Sequence, residues 1–102
     1  MNIIAGTTPT IGYTFSTIDV LNIVTAIFSV KQNEETIIEK YLGDAVIGEN
    51  KLSWTLSQAE TLMLSPSKST RIYLDYVLND GTRGAGATES ATISKAGKNE
   101  VI

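Results

Sequence analysis

Ser65-Pro-Ser-Lys68 is the one run in this chain whose residue types and spacing match a nucleophile motif. The Ser-x-x-Lys arrangement of serine hydrolases needs a helix start under the serine and further partner motifs, and a 102-residue domain rich in strand formers offers neither. The chain also contains no histidine and no cysteine. No imidazole base and no thiolate nucleophile or metal ligand can therefore be assembled, and the acids fall on turns and exposed strand positions instead of converging. These residues assign no catalytic, cofactor-binding or metal-binding group, and the expectation is a protein that is not an enzyme. Asp44, Glu49 and Asn50 could offer oxygens to calcium from a loop, but solvated turn residues are the simpler reading.

Two further groups of residues could make contacts. Trp54 would suit a stacking platform in a carbohydrate-binding module, yet its alternation with Leu52 and Leu56 places it in a core. Arg71, Tyr73 and Asp75 lie on the strand face opposite Leu74, and exposed Tyr and Arg favour interfaces. Arg83 opens a run of small residues, Gly84, Ala85 and Gly86, after an Asp-Gly turn. Such a run suggests a bulge, a poorly packed edge, or a surface kept small so that a neighbouring subunit can approach.

Composition narrows the partners. A chain of 102 residues is long enough for one core and too short for two. Eleven acids against eight Lys and Arg give a net charge of −3, which argues against nucleic acid and against membrane surfaces. The apolar run 20–30 is interrupted by Asn22, Thr25 and Ser29 and is too short to span a bilayer. "MNIIAGTTPT" has neither a basic start nor a proper hydrophobic segment, so no secretory signal is read there, and synthesis in the cytoplasm is expected. The absence of cysteine fits a reducing compartment.

The elements that would position these residues are strands. Residues 10–15 alternate, with Ile11, Tyr13 and Phe15 on one face. A turn at Asp19 leads to 23–31, where Val24, Ala26, Phe28 and Val30 share a face, and "KQNEE" with Asn33 reverses the chain into 36–40. A short strand at 45–47 precedes 52–56. The strand after Thr70 puts Ile72, Leu74, Tyr76 and Leu78 on one side and Arg71, Tyr73, Asp75 and Val77 on the other. Asn79, Asp80 and Gly81 signal a hairpin to a partner strand over 82–93. Residues 95–102 read as a flexible polar tail on a domain spanning 1–94.

"LSWTLSQAETLML" changes its period halfway. Leu52, Trp54 and Leu56 alternate as a strand, and Ser57-Gln-Ala-Glu60 then supplies a helix-start signature, with Ser57 and Glu60 satisfying each other's backbone amides. One helical turn at about 57–64 would carry the chain from one sheet to the other, with Leu62 and Leu64 closing the core. The predicted architecture is all-β, an antiparallel sandwich of about seven short strands.

The order of "GTTPTIGYTF", "STIDVLNIVTAIFSVKQ", "LSWTLSQAETLML" and "RIYLDYVLNDGTRG" resembles small proteins encoded in Gram-positive prophages. It is also similar to the N-terminal domain of phage upper baseplate proteins. The shared features are an early threonine-rich strand, a "D(V/L)xxI" turn, a "W/Y-T-L-S/T-x-x-x-T" corner and a late strand closed by "DG", over about residues 5–93. The resemblance implies an immunoglobulin-like sandwich and a structural or adaptor role in or near the tail or baseplate. It implies action by contact with proteins, other virion components among them, or with a second copy of the chain, and it brings no catalytic residues. The chain departs from that pattern in lacking the helical, receptor-proximal region that follows in an upper baseplate protein. A small carbohydrate-binding module is the alternative reading.

Overall fold

The computed structural model describes residues 1–102. Nine strands form: β1 (Asn2–Ile4), β2 (Thr10–Thr14), β3 (Ile23–Gln32), β4 (Glu35–Tyr41), β5 (Val46–Gly48), β6 (Lys51–Thr55), β7 (Thr70–Leu78), β8 (Arg83–Ala85) and β9 (Glu89–Ser94). One helix, α1 (Gln58–Leu62), and two 3-10 turns, Val20–Asn22 and Leu42–Asp44, connect them. The larger sheet runs β1-β9-β7-β3-β4 with β8 also on β7, and the smaller runs β2-β6-β5. The sandwich expected from the sequence is therefore present. It has two more strands than the alternation suggests, because β1 carries no such pattern and the predicted strand over 82–93 is split into β8 and β9.

The three residues of β1 carry almost no period, so alternation does not mark them. Ile3 is nonetheless buried, paired in register with Ile93 on β9 in the only parallel ladder of the molecule. The split in the last strand has a plain cause. Asp75 pairs with Ala85 and Ile72 with Glu89, so three steps along β7 face four on the returning chain, and one residue is extruded between β8 and β9.

Val24 does not share the inward face that the alternation predicts. It lies on the solvent side, 56% exposed, while Ile23 is buried. Ile23 pairs with Leu78 and Thr25 with Val77, so a bulge inserts Val24 and changes the parity of the strand. Beyond it Ala26, Phe28 and Val30 point inward as expected. At the far end Asn33 and Glu34 adopt φ of 50° and 69°, the left-handed pair of a two-residue hairpin turn.

The two sheets meet in an aromatic stack. Phe28 from the larger sheet and Trp54 from the smaller lie 5.1 Å apart and 12° from parallel, both fully buried. The Trp54 indole N–H donates to the Tyr41 carbonyl at 3.0 Å, so no polar atom of the ring is stranded. Tyr13 meets Trp54 edge-on at 6.5 Å.

The crossing at α1 follows the predicted cap. The Glu60 amide donates to the Ser57 hydroxyl at 3.1 Å, and the Ser57 amide donates to the Glu60 carboxylate at 2.8 Å. Lys40 of β4 adds an ion pair to Glu60 at 3.0 Å. Burial of Glu60 opposes its ionisation, but the Ser57 hydrogen bonds and the Lys40 ammonium outweigh it and hold the carboxyl below its ordinary value. Leu64 closes the core as expected, with Leu62 half-buried beside it. Thr61, wholly buried, donates its hydroxyl to the Thr7 carbonyl at 2.8 Å and accepts from the Gly6 amide at 2.9 Å. That side chain fastens the crossing to the link between β1 and β2.

Two outcomes are expected. Thr61→Val keeps the shape but leaves the Gly6 amide unpaired, and should lower the unfolding free energy measured in urea by about 1–3 kcal/mol. An unchanged midpoint would show that the link is held by packing alone. Because the Glu60 carboxyl is depressed in the folded state, its contribution is present above the ordinary carboxylate pKa and is lost as pH falls through the lowered value. Glu60→Gln should therefore be less stable than wild type at neutral pH, with the gap in thermal midpoint closing toward about pH 3; a constant gap would refute the ionic contribution.

Candidate interaction face

β7 lies between β3 and the β8–β9 pair, so its outward side chains occupy the middle of the larger sheet. Arg71, Tyr73, Asp75 and Val77 stand there, as the alternation predicts. Their register partners on β3 are Lys31, Ser29, Ile27 and Thr25, and β4 continues the surface with Glu39 beside Ser29 and Tyr41 beside Ile27. The result is a mixed surface of aromatic rings and charges.

Specific contacts organise it. The Lys31 ammonium sits 5.2 Å from the centre of the Tyr73 ring. Arg83 on β8 reaches across to Asp75 at 3.4 Å, with 74% and 42% of the two side chains exposed, so this pair contributes little to stability. The Tyr41 hydroxyl donates to Glu39; that hydrogen bond, with the carboxylate's charge, raises the Tyr41 pKa.

The residues of this run separate into two groups. Arg83 and Ala85 are outward, in register with Val77 and Asp75. Gly84 faces the opposite way, in register with Tyr76, and a Cβ there would come within 2.5 Å of the Tyr76 ring. Gly86 meets Tyr13 in the same manner at 3.0 Å. Both glycines are thus small because a tyrosine of the same chain covers them. Tyr76 in turn packs edge-on to Phe15 at 5.4 Å. The Tyr13 hydroxyl is buried without a hydrogen-bond partner, and burial, then the nearby Glu89 charge, push its pKa up to about 12. Alternation alone could not show which face of the "RGAGA" run was empty and which was filled.

The other candidates disperse. Ser65 lies after α1, not at a helix start; its hydroxyl pairs with that of Ser67 at 3.0 Å. Its backbone holds Gln32, which donates to the Ser65 carbonyl and the Thr70 hydroxyl, both at 2.9 Å, and accepts from the Ser65 amide at 3.0 Å. Gln32 is 1% exposed, a buried polar staple that the sequence did not reveal. Asp44 accepts from the Tyr41 amide, whereas Asn50 accepts from the Val20 amide and donates to the Phe15 carbonyl. Glu49 and Asn50 line a groove of about 610 Å³ with residues 16–21, and Asp44 is not part of it. Trp54 is in the core, as its alternation predicts. No helix is long and apolar enough to cross a membrane.

Comparison with solved structures now settles the fold. A domain of the mouse leukocyte-associated immunoglobulin-like receptor 1, crystallised as a strand-swapped dimer, matches with a TM-score of 0.53 at 13% identity, over 91% of this chain and 85% of that one. The V domain of amphioxus IgVJ-C2 matches with a TM-score of 0.39 at 12% identity, over 92% and 99%. The fold is an immunoglobulin-like β-sandwich. Neither a family model nor a curated protein matches the sequence. In the immunoglobulin arrangement β2, β6 and β5 take the places of strands B, E and D, and β3, β7 and β9 those of C, F and G. The disulfide that joins the sheets of antibody domains is absent here for want of cysteine, and the Phe28–Trp54 stack lies between them.

Gly84→Ala should cost about 1–3 kcal/mol in urea unfolding by displacing Tyr76. The same substitution made in a Tyr76→Ala background should cost less than half as much. Equal costs in both backgrounds would mean that the ring does not explain the glycine.

Proposed function

We propose that this chain is a non-enzymatic structural or adaptor protein of phage or prophage origin, associated with the tail or baseplate and acting by protein–protein contact through the outward face of β7. The observation that carries the contact role is the surface itself: Tyr73, Arg71, Asp75 and Arg83, with Lys31, are gathered on the middle strands of one sheet face. Tyr and Arg are the residues that most often anchor interfaces. The phage association rests on the sequence resemblance described above. The mouse receptor domain forms a strand-swapped dimer, and a second copy of this chain is accordingly one partner to test. The carbohydrate alternative has lost Trp54 to the core and would have to rely on Tyr41 and Tyr73.

Light scattering after size exclusion, over a hundredfold range of concentration, should give either a defined oligomer or a monomer that captures a partner from a lysate of the induced lysogen. Tyr73→Glu, checked for native thermal unfolding, should lose that oligomer or that captured protein. A folded Tyr73→Glu protein that keeps every interaction of the wild type would overturn the assignment of this face, and glycan binding that moves Tyr73 resonances would favour the carbohydrate reading.

A further inference from the structure

Lys31 on β3 and Arg71 on β7 are direct register partners on the outward face. Like charges placed opposite one another across two strands destabilise the pair. Neither cation has an acidic partner: the three ion pairs of the molecule join Lys40 to Glu60, Arg83 to Asp75 and Lys98 to Glu100. In a chain whose acids outnumber its bases, eleven to eight, two adjacent cations without a counter-charge are not explained by composition.

The pair lines a cavity of about 290 Å³ together with Asn33, Glu34, Ser69 and Tyr73. The Asn33 amide donates to the Ser69 carbonyl at 3.1 Å, so the β3–β4 turn and the start of β7, which form opposite rims, are tied by backbone. Lys31 is steered by the Tyr73 ring at 5.2 Å, and the Arg71 side chain is exposed and without an ion-pair partner. A volume near the floor of the roughly 300–1,000 Å³ range of small-molecule pockets is too small to bury a whole ligand, but it admits one side chain. Glu34 brings the one carboxylate lining the cavity and forms an ion pair with neither cation.

We infer that this cavity receives an Asp or Glu side chain of a partner protein, gripped by the Arg71 guanidinium through two parallel hydrogen bonds and by the Lys31 ammonium from the other strand. The inference rests on the reading of the β7 face as a contact surface and names the chemistry that the partner must present. Glu34, on the rim, is the chain's own competitor for the same cations.

The test is an NMR titration of the full chain with a blocked Gly-Glu-Glu-Gly peptide, its Gln counterpart and inorganic phosphate. Saturable shifts confined to Lys31, Asn33, Ser69, Arg71 and Tyr73 are expected with the Glu peptide and none with the Gln peptide. Arg71→Gln should weaken binding roughly tenfold and Glu34→Gln should tighten it about twofold. Arg71→Glu should abolish binding while the thermal midpoint holds or rises, because the like-charge pair is relieved; a fall would mark Arg71 as structural and overturn the site. Shifts spread over Lys51, Lys68 and Lys95, no shifts at all, or phosphate binding at least as tightly as the Glu peptide would also overturn it. The two readings fail separately. If Tyr73→Glu removes the partner and Arg71→Gln does not, the face stands and the carboxylate subsite falls; if neither substitution matters, the face falls as well.

Discussion

Two sheets with no disulfide between them must be held in register by packing, and in this domain the Phe28–Trp54 stack is the contact that sets the rest. Aromatic rings of that size contribute through the area they bury and, beyond it, through their ring geometry, about 0.5–1.5 kcal/mol for a pair. A near-parallel stack also fixes orientation, since rotation of one sheet over the other would separate the rings. The indole N–H bonded to the Tyr41 carbonyl ties Trp54 to the end of β4, so the ring is held from both sheets. Phe28 lies on β3, whose outward residues alternate with its inward ones. Locking Phe28 inward therefore locks Ser29 and Lys31 outward beside Tyr73 and Arg71.

Around this centre the ends of the sandwich are closed by buried polar groups with every partner in place. Thr61 fastens the α1 crossing to the link after β1, and Gln32 fastens the end of β3 to the loop after α1. Each stands where backbone leaves regular structure and would otherwise bury unpaired amides or carbonyls. Hydrophobic area is not tied to one geometry, and these directional bonds are. They determine which loop meets which strand end, and with it the position of Ser69 at the rim of the cationic cavity.

Much of this was legible in the residues. The alternation of Leu52, Trp54 and Leu56 placed the tryptophan in the core, and Ser57 with Glu60 announced the crossing down to its paired hydrogen bonds. The outward set on β7 followed from a period of two. What the sequence could not show were departures from that period. Val24 looks like a core residue until a bulge shifts it, and a bulge of one residue leaves no mark in composition. β1 was too short to show a pattern. Gly84 and Gly86 read equally as an open surface or a filled one, because a covering ring such as Tyr76 or Tyr13 lies far off along the chain. Thr61 and Gln32 are buried against type, and only the partners brought by the fold make that burial tolerable.

The charge pattern on the outward face has the same origin. Lys31 and Arg71 are forty residues apart in sequence, and each alone is an ordinary outward strand position. Their juxtaposition is dictated by the β3–β7 register, which is set by the inward Val30–Ile72 and Phe28–Leu74 pairs on one side of them and the buried Gln32–Thr70 pair on the other. The core cannot slip by one residue to separate the charges, because the inward apolar set of the slipped strand would then face solvent. The repulsion is therefore carried by the larger energy of the core, and an incoming carboxylate would convert a small standing cost into attraction. The buried half of each strand thus fixes the charge pattern on the exposed half.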